Sequence, residues 1–566
     1  MYLRQVAARL LRRIRIPKQS IYSSYYGIPA NMLPNLLSST RKCSYKYGFG
    51  NYGSRANHKR SFLLTIMAGQ AVAIFHGIYA NPVLADASNG SSAETESEGA
   101  NITGLRKIED GSVISNVHTS KWRIFTDNGR EYFLQGKLDE AEKFFLSALE
   151  EAKKGFGDRD PHVASACNNL AELYRVRKLF DKAEPLYLEA VKILEESFGA
   201  DDIRVGAAFH NLGQFYLVQR KLDESRKSYE RALKIKGRVL GLGHVDYADT
   251  LYHLGTVLYL QGKEKDAEAV IQDSIRILEE AGQGESIMCI RRLRYLAQIY
   301  LKSNRLAEAE NVQRKILHIV ELSQGWKSMD TVIAAERLAL TLRSAGSLKE
   351  AQELLERCLD TRKTILPEDH IQIGANMLHF ARVAILKANR LRKIHIAEAF
   401  AELDRARDLL YNSTRIARQV LNKLRNQKGS RQKSRAPEET RREGRAALII
   451  LLQSLDTLGL LEITKQELQE SMEEHPDPPS FGTKSAFFQC ISAYKEFESD
   501  RLISDSPEVK VEYLSCLKRL SSLISNGEVK EIEVSGKATL QELNDEIKRV
   551  EGEISRYRKH KSKAGA

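Results

Sequence analysis

Residues Asp160 to Gly199 read DPHVASACNNLAELYRVRKLFDKAEPLYLEAVKILEESFG. Apolar residues three and four apart place two amphipathic helices back to back in this stretch. Working outward, the spacing recurs without a slip. Leu170 has counterparts at Leu212, Leu254, Leu296, Leu338 and Phe380, each 42 residues on. Ala183 is matched by Ala141, Ser225, Ala267, Ala309 and Ala351. A third column of mostly small residues holds Ala148, Ala190, Ala232, Ser274, Ile316 and Cys358. Three columns sharing one period predict an all-α solenoid, because a single helical hairpin cannot bury its own apolar stripe and must stack on its neighbours.

Within one unit the chemistry is legible. Asp160 before Pro161 suits an N-cap and first turn: the carboxylate accepts a free backbone N–H, and proline gives up a donor the helix cannot use there. Asp202, His244, Ser286, Ser328 and His370 hold the equivalent positions. Lys178, Arg220, Gly262, Asn304 and Gly346 mark the turn between helices, where a left-handed residue is expected. The second helix opens with Asp139, Asp181 or Asp223, and Glu142, Glu184, Glu268, Glu310 and Gln352 follow at a spacing that suggests a capping box.

The run NNLAELY, then KAEPLYLEAVKILEESFG, resembles the tetratricopeptide repeats of kinesin light chains. Leu170, Ala171, Tyr174, Ala183, Tyr187 and Ala190 meet that pattern residue by residue, and the likeness runs over roughly residues 121–390. It weakens toward the end, where Glu264 replaces an apolar residue and extra residues enter around LRKIHIAEAF. The resemblance implies a superhelix of antiparallel helix pairs whose first helices line a peptide-binding groove. The residue before the conserved Leu then contacts ligand, which gives Asn169, Asn211, His253, Tyr295 and His379, with Arg337 in the same column. Arg291 and Arg294 lie one turn apart and with Arg337 form a candidate basic patch for acidic ligands. Cargo binding like that of a kinesin light chain does not follow, since no long heptad region precedes the repeats.

The net charge of +13 is a property of the N-terminus: residues 1–60 hold twelve Lys and Arg and no acid, which leaves about +1 for the rest. MYLRQVAARLLRRIRIPKQS alternates arginine with apolar residues and has the composition of a transit peptide, mitochondrial by its arginines, with a plastid as the alternative. Residues Phe62–Ala80 carry no charge and are long enough for a single membrane span or a second sorting signal. The expected organisation is a transit peptide over 1–60, the hydrophobic segment over 61–85, a flexible linker over 86–120 and a solenoid of about seven repeats over 121–412. A basic linker over 413–445 and a helical C-terminal region over 446–566 complete it.

In the C-terminal region AALIILLQSLDTLGLL reads as a buried helix, since Gln453 and Asp456 interrupt it. Leu540, Leu543, Ile547, Val550, Ile554 and Tyr557 form a short seam that could dock on its own domain or dimerise. The six cysteines include no C-x-x-C pair and are expected as buried thiols, with no metal-ligand spacing. No phosphate-binding loop or hydrolase motif is present, and His162, His210, His253 and His379 are scattered; neither enzyme nor cofactor is expected. The expected function is a non-enzymatic scaffold binding protein or peptide partners inside an organelle. The alternative is an organellar RNA-associated repeat factor, against which stand the small charge of the repeats and the lack of a 35-residue step.

Overall fold

The computed structural model describes residues 117–430, 438–470, 481–525 and 536–563. The basic leader, the apolar stretch Phe62–Ala80 and most of the tether lie outside them. Every regular element among the described residues is a helix.

The repeats comprise α1 (Val117–Leu134), α2 (Leu138–Phe156), α3 (Pro161–Val176), α4 (Phe180–Phe198), α5 (Ile203–Val218), α6 (Leu222–Val239) and α7 (Val245–Leu260). They continue with α8 (Glu264–Glu280), α9 (Ile287–Lys302), α10 (Leu306–Gln324), α11 (Met329–Ala345), α12 (Leu348–Ile365) and α13 (Ile371–Leu391). Each odd helix pairs with the next even one and then stacks on the following pair. The six expected caps form: Asp160, Asp202, His244, Ser286, Ser328 and His370 each accept a backbone N–H of the first turn. The five turn residues Lys178, Arg220, Gly262, Asn304 and Gly346 all have positive φ, from 56° to 91°. That conformation is strained for Lys178 and Arg220, and the local hairpin geometry imposes it.

The three columns are the core. Leu170, Leu212, Leu254, Leu296, Leu338 and Phe380 are all buried, as is every member of the Ala141 and Ala148 columns. Where serine replaces alanine its hydroxyl is satisfied: Ser225 donates to the Gly213 carbonyl at 2.7 Å and Ser274 to the Ala248 carbonyl at 2.6 Å.

The capping box does not form. The second helices are entered through Lys137, Leu179, Lys221 and Lys263, none of which caps with its side chain. Three of the glutamates reach forward to the next unit instead. Glu142 accepts from the Tyr174 hydroxyl at 2.9 Å, Glu184 from Tyr216 at 3.0 Å and Glu268 from Tyr300 at 3.1 Å. A basic residue past the end of the same helix joins each tie: Arg177, Lys221 and Arg305 respectively. A backbone N–H at that helix end is one of several orphan donors, whereas a tyrosine hydroxyl with its body packed between units needs one specific acceptor, and the carboxylate supplies it.

Beyond the repeats stand α14 (Ile396–Ser430), α15 (Glu438–Glu470), α16 (Phe481–Glu498), α17 (Arg501–Ser504), α18 (Pro507–Ser525) and α19 (Gly536–Lys563). The expected end of the solenoid at 412 falls inside α14, which packs on both α13 and α15. One core joins Leu421 of α14, Leu451 of α15, Phe487 of α16, Tyr513 of α18 and Val550 of α19. Helix α15 is long and apolar enough to cross a membrane, but 83% of its most apolar window is buried. Asp456, 2% exposed there, lies 3.0 Å from the Arg519 Nε of α18.

One expectation changes for the cysteines. Cys490 and Cys516 form a disulfide between α16 and α18 rather than staying thiols. Cys167, Cys289 and Cys358 are free and buried, and burial pushes the Cys167 and Cys358 thiols up to about 12, so they are protonated and unreactive. The α19 seam takes the first of its two expected uses, docking within the chain: Val550 and Ile554 are buried in the shared core with Leu543 and Ile547 packed against it.

Candidate functional site

The first helices of successive units touch directly, α5 with α7 and α11 with α13, which sets them on the tighter side of the stack. This inner wall is tied across units by polar and aromatic side chains about 40 residues apart. Asn211 Nδ2 donates to Asn168 Oδ1 at 3.0 Å. Arg292 Nη2 lies 3.3 Å from Asp249 Oδ1, and the Tyr252 and Tyr295 rings meet edge to face at 5.8 Å.

The densest part lies between α5, α7 and α9. His210 Nε2 is 3.7 Å and His253 Nε2 4.0 Å from the same oxygen, Asp249 Oδ2. The two imidazoles are edge to face at 5.2 Å, and both rest on the Tyr229 ring at 5.4 and 5.7 Å. Lys236, 2% exposed, donates to Thr250 Oγ1 at 3.0 Å and to the Asp246 carbonyl at 3.2 Å. Arg292, 1% exposed, also donates to the Ser274 carbonyl at 3.2 Å. Burial works to raise the Asp249 carboxyl, but His253, His210, Arg292 and Lys236 outweigh it and hold it at about 2, so the group is an anion. Burial lowers the His253 imidazole against the pull of Asp249.

Of the expected groove residues, Asn211 and His253 are half-buried members of this wall, and Tyr295 is buried beside Tyr252 and Tyr259. Asn169 is also buried, with its Nδ2 lacking a partner among the described residues. Arg291, Arg294 and Arg337 are half-buried on α9 and α11. His379 stands apart, inside the stack near a second buried ion pair in which Arg362 donates to both Glu336 oxygens at 2.8 and 2.7 Å. Burial pushes the His379 imidazole down to about 3; Glu336 opposes the shift while Arg343, Arg382 and Arg362 add to it.

Sequence reasoning missed Asp249, Arg292 and Lys236. A signal existed for Arg292: its column is otherwise Ala166, Ala208, Thr250, Ala334 and Asn376. A guanidinium in a column of small, uncharged residues needs a buried anion, and only the fold shows that Asp249 supplies it.

Residues 126–196 and 204–280 match one tetratricopeptide-repeat family model and residues 331–372 match another. Similar solved structures include the kinesin light chain TPR-like repeats of Podosopora anserina, with 19% identity over 36% of this chain and 98% of that one and a TM-score of 0.34. BtubC (BKLC) of P. vanneervenii is 16% identical over 44% and 93%, with a TM-score of 0.35. The apo form of RapI is 12% identical over 79% and 99%, with a TM-score of 0.47. Comparison with curated proteins gives no match. The matched segments are tetratricopeptide repeats.

Proposed function

We propose that this tetratricopeptide-repeat protein is a scaffold that holds extended segments of partner proteins along the inner wall formed by α3, α5, α7, α9 and α11. The observation that carries this reading is the composition of that wall. Asn211, His253, Arg291, Arg294 and Arg337 are half-buried there, where burial alone would favour apolar residues. Side chains of this kind, held in place by neighbouring helices, present donors to a peptide backbone at little ordering cost. Three arginines within two neighbouring first helices suit acidic segments, since guanidinium–carboxylate hydrogen bonds are charge-assisted. The basic, acid-free leader supports a mitochondrial location, with residues 62–80 as an inner-membrane anchor.

The test is proximity labelling in intact organelles with the wild-type chain and the triple variant Arg291→Glu, Arg294→Glu, Arg337→Glu. The partner set is expected to shrink, with acidic proteins lost first. An unchanged set from a folded variant contradicts the reading. For the location, the mature chain should remain in the membrane pellet after carbonate extraction of mitochondria, and recovery in the supernatant excludes the anchor.

A further inference from the structure

We propose that His210, Asp249 and His253 form a binding site for a first-row divalent transition ion, Zn²⁺ by its ligand chemistry, that clips the third repeat to the fourth. The inference shares His253 with the proposed peptide-binding wall but rests on the geometry of the three side chains.

Their ligand atoms all lie within 4.8 Å of one another. The separations of 3.7 and 4.0 Å from the two Nε2 atoms to Asp249 Oδ2 are too long for hydrogen bonds. Tetrahedral zinc with bonds of about 2.0–2.2 Å sets its ligands roughly 3.3–3.5 Å apart. Small side-chain rotations close that gap.

The hydrogen-bond network suits the tautomer that a metal ligand needs. Thr250 has a single hydroxyl proton and donates it to the Asp246 carbonyl at 3.0 Å. The same oxygen accepts from Lys236 at 3.0 Å. With the Thr250 proton on that carbonyl, His210 Nδ1, also 3.0 Å away, is the donor, and the neutral ring then offers its Nε2 lone pair to an ion. The arrangement also matches how proteins orient a ligating histidine, through its other nitrogen.

The outer contacts divide the work. Arg292 occupies Asp249 Oδ1 and leaves Oδ2 for the ion. Asp249 and His253 are one turn apart on α7, so their spacing is set by the helix, and His210 enters from α5. The buried Tyr229 ring backs both imidazoles, and its hydroxyl has no partner among the described residues. The side chains of Asp249 and His253 are 27% and 24% exposed, so an ion can reach them. Nearby Lys236 and Arg292 disfavour a hard cation bound by charge alone. Two nitrogen donors suit Zn²⁺, Co²⁺ or Cu²⁺ over Mg²⁺ or Ca²⁺, and three protein ligands leave a further position for water.

The test uses tag-free full-length protein stripped of metal and titrated with Zn²⁺, and with Co²⁺ as the spectroscopic probe. One ion per chain is expected in native mass spectrometry, with the visible absorption of a four- or five-coordinate Co²⁺ site and a rise in melting temperature. Asp249→Asn and His253→Ala should each abolish the Co²⁺ spectrum, while His162→Ala should leave it unchanged. Thr250→Val, which removes only the outer contact, should weaken binding about tenfold to a hundredfold. Circular dichroism separates lost binding from lost fold, and His210→Gln provides a second, shape-conserving ligand variant. Binding that survives in folded Asp249→Asn and His210→Gln proteins overturns the proposal. So does the absence of stoichiometric binding to the wild type, or a ring-nitrogen NMR signal showing that His210 Nε2 carries a proton that Zn²⁺ does not displace.

Discussion

The repeats from α1 to α13 and the helices from α14 to α19 solve the same problem by different means. From α3 to α12, first helices of 16 or 17 residues alternate with second helices of 17 to 19, so every interface recurs at a fixed step. Helix α14 has 35 residues and α15 has 33, and the step disappears while hairpin still packs on hairpin. Periodicity therefore reports equal helix lengths, and stacking persists without it. The two parts also differ in what they bury. The glutamate–tyrosine ties of the repeats are partly exposed, whereas Asp456 and Arg519 are nearly enclosed.

That contrast predicts unequal costs for similar changes. Arg519→Met removes the ion-pair partner 3.0 Å from the buried Asp456, so it should destabilise the C-terminal part by about 3 kcal/mol in chemical denaturation. Arg177→Met, which removes a partly exposed tie, should cost less than about 1 kcal/mol. Equal losses would erase the distinction between the two parts.

The next effect sits where they meet. His379 is held near 3 in the folded protein, below the ordinary imidazole value of about 6.5. Between those values the unfolded chain binds a proton that the folded chain does not. The stability contributed is complete above about pH 6.5 and is lost as the pH falls toward 3, up to roughly 4 kcal/mol. Asp249, depressed to about 2, loses its contribution only below about pH 4. His379→Gln should flatten the upper part of the acid-unfolding curve and leave the lower part. An unchanged curve would mean that His379 is not buried in its neutral form.

The disulfide gives a third contrast. Cys490 and Cys516 close a 26-residue separation, and opening that loop should cost about 3 kcal/mol in the chain-entropy account. Reduction should lower the C-terminal transition and leave the exchange protection of α3–α9 unaltered in hydrogen-exchange mass spectrometry. An effect as small as that of Arg177→Met is expected for Tyr216→Phe, about 0.5–1 kcal/mol for one partly exposed hydrogen bond to Glu184.

Much of the repeat architecture was legible because it depends on neighbours in sequence. A cap needs only Asp160 and the two residues after it, and a left-handed turn needs only a residue such as Lys178 between two helix patterns. Glu142 was misread because two partners were available to it: its own helix start, visible in sequence, and Tyr174 in the next unit, visible only after stacking. Asp249 and Arg292 meet across 43 positions, and Cys490 and Cys516 pair through helices that keep no common period. The individual wall residues Asn211 and His253 were found through the column before the conserved leucine. Their arrangement around Asp249 was hidden because it comes from the rise and rotation between units, which no single unit contains.

The most direct test of the inner wall as the working surface is site-specific photo-crosslinking in cells. A photoreactive residue replaces Asn211 on the inner wall, or Leu188, 46% exposed on the second helix α4. The account predicts discrete partner crosslinks from position 211, lost in the triple arginine variant, and only weak, diffuse crosslinks from position 188. Equal crosslinking from both positions, or partner capture from position 188 alone, would contradict it.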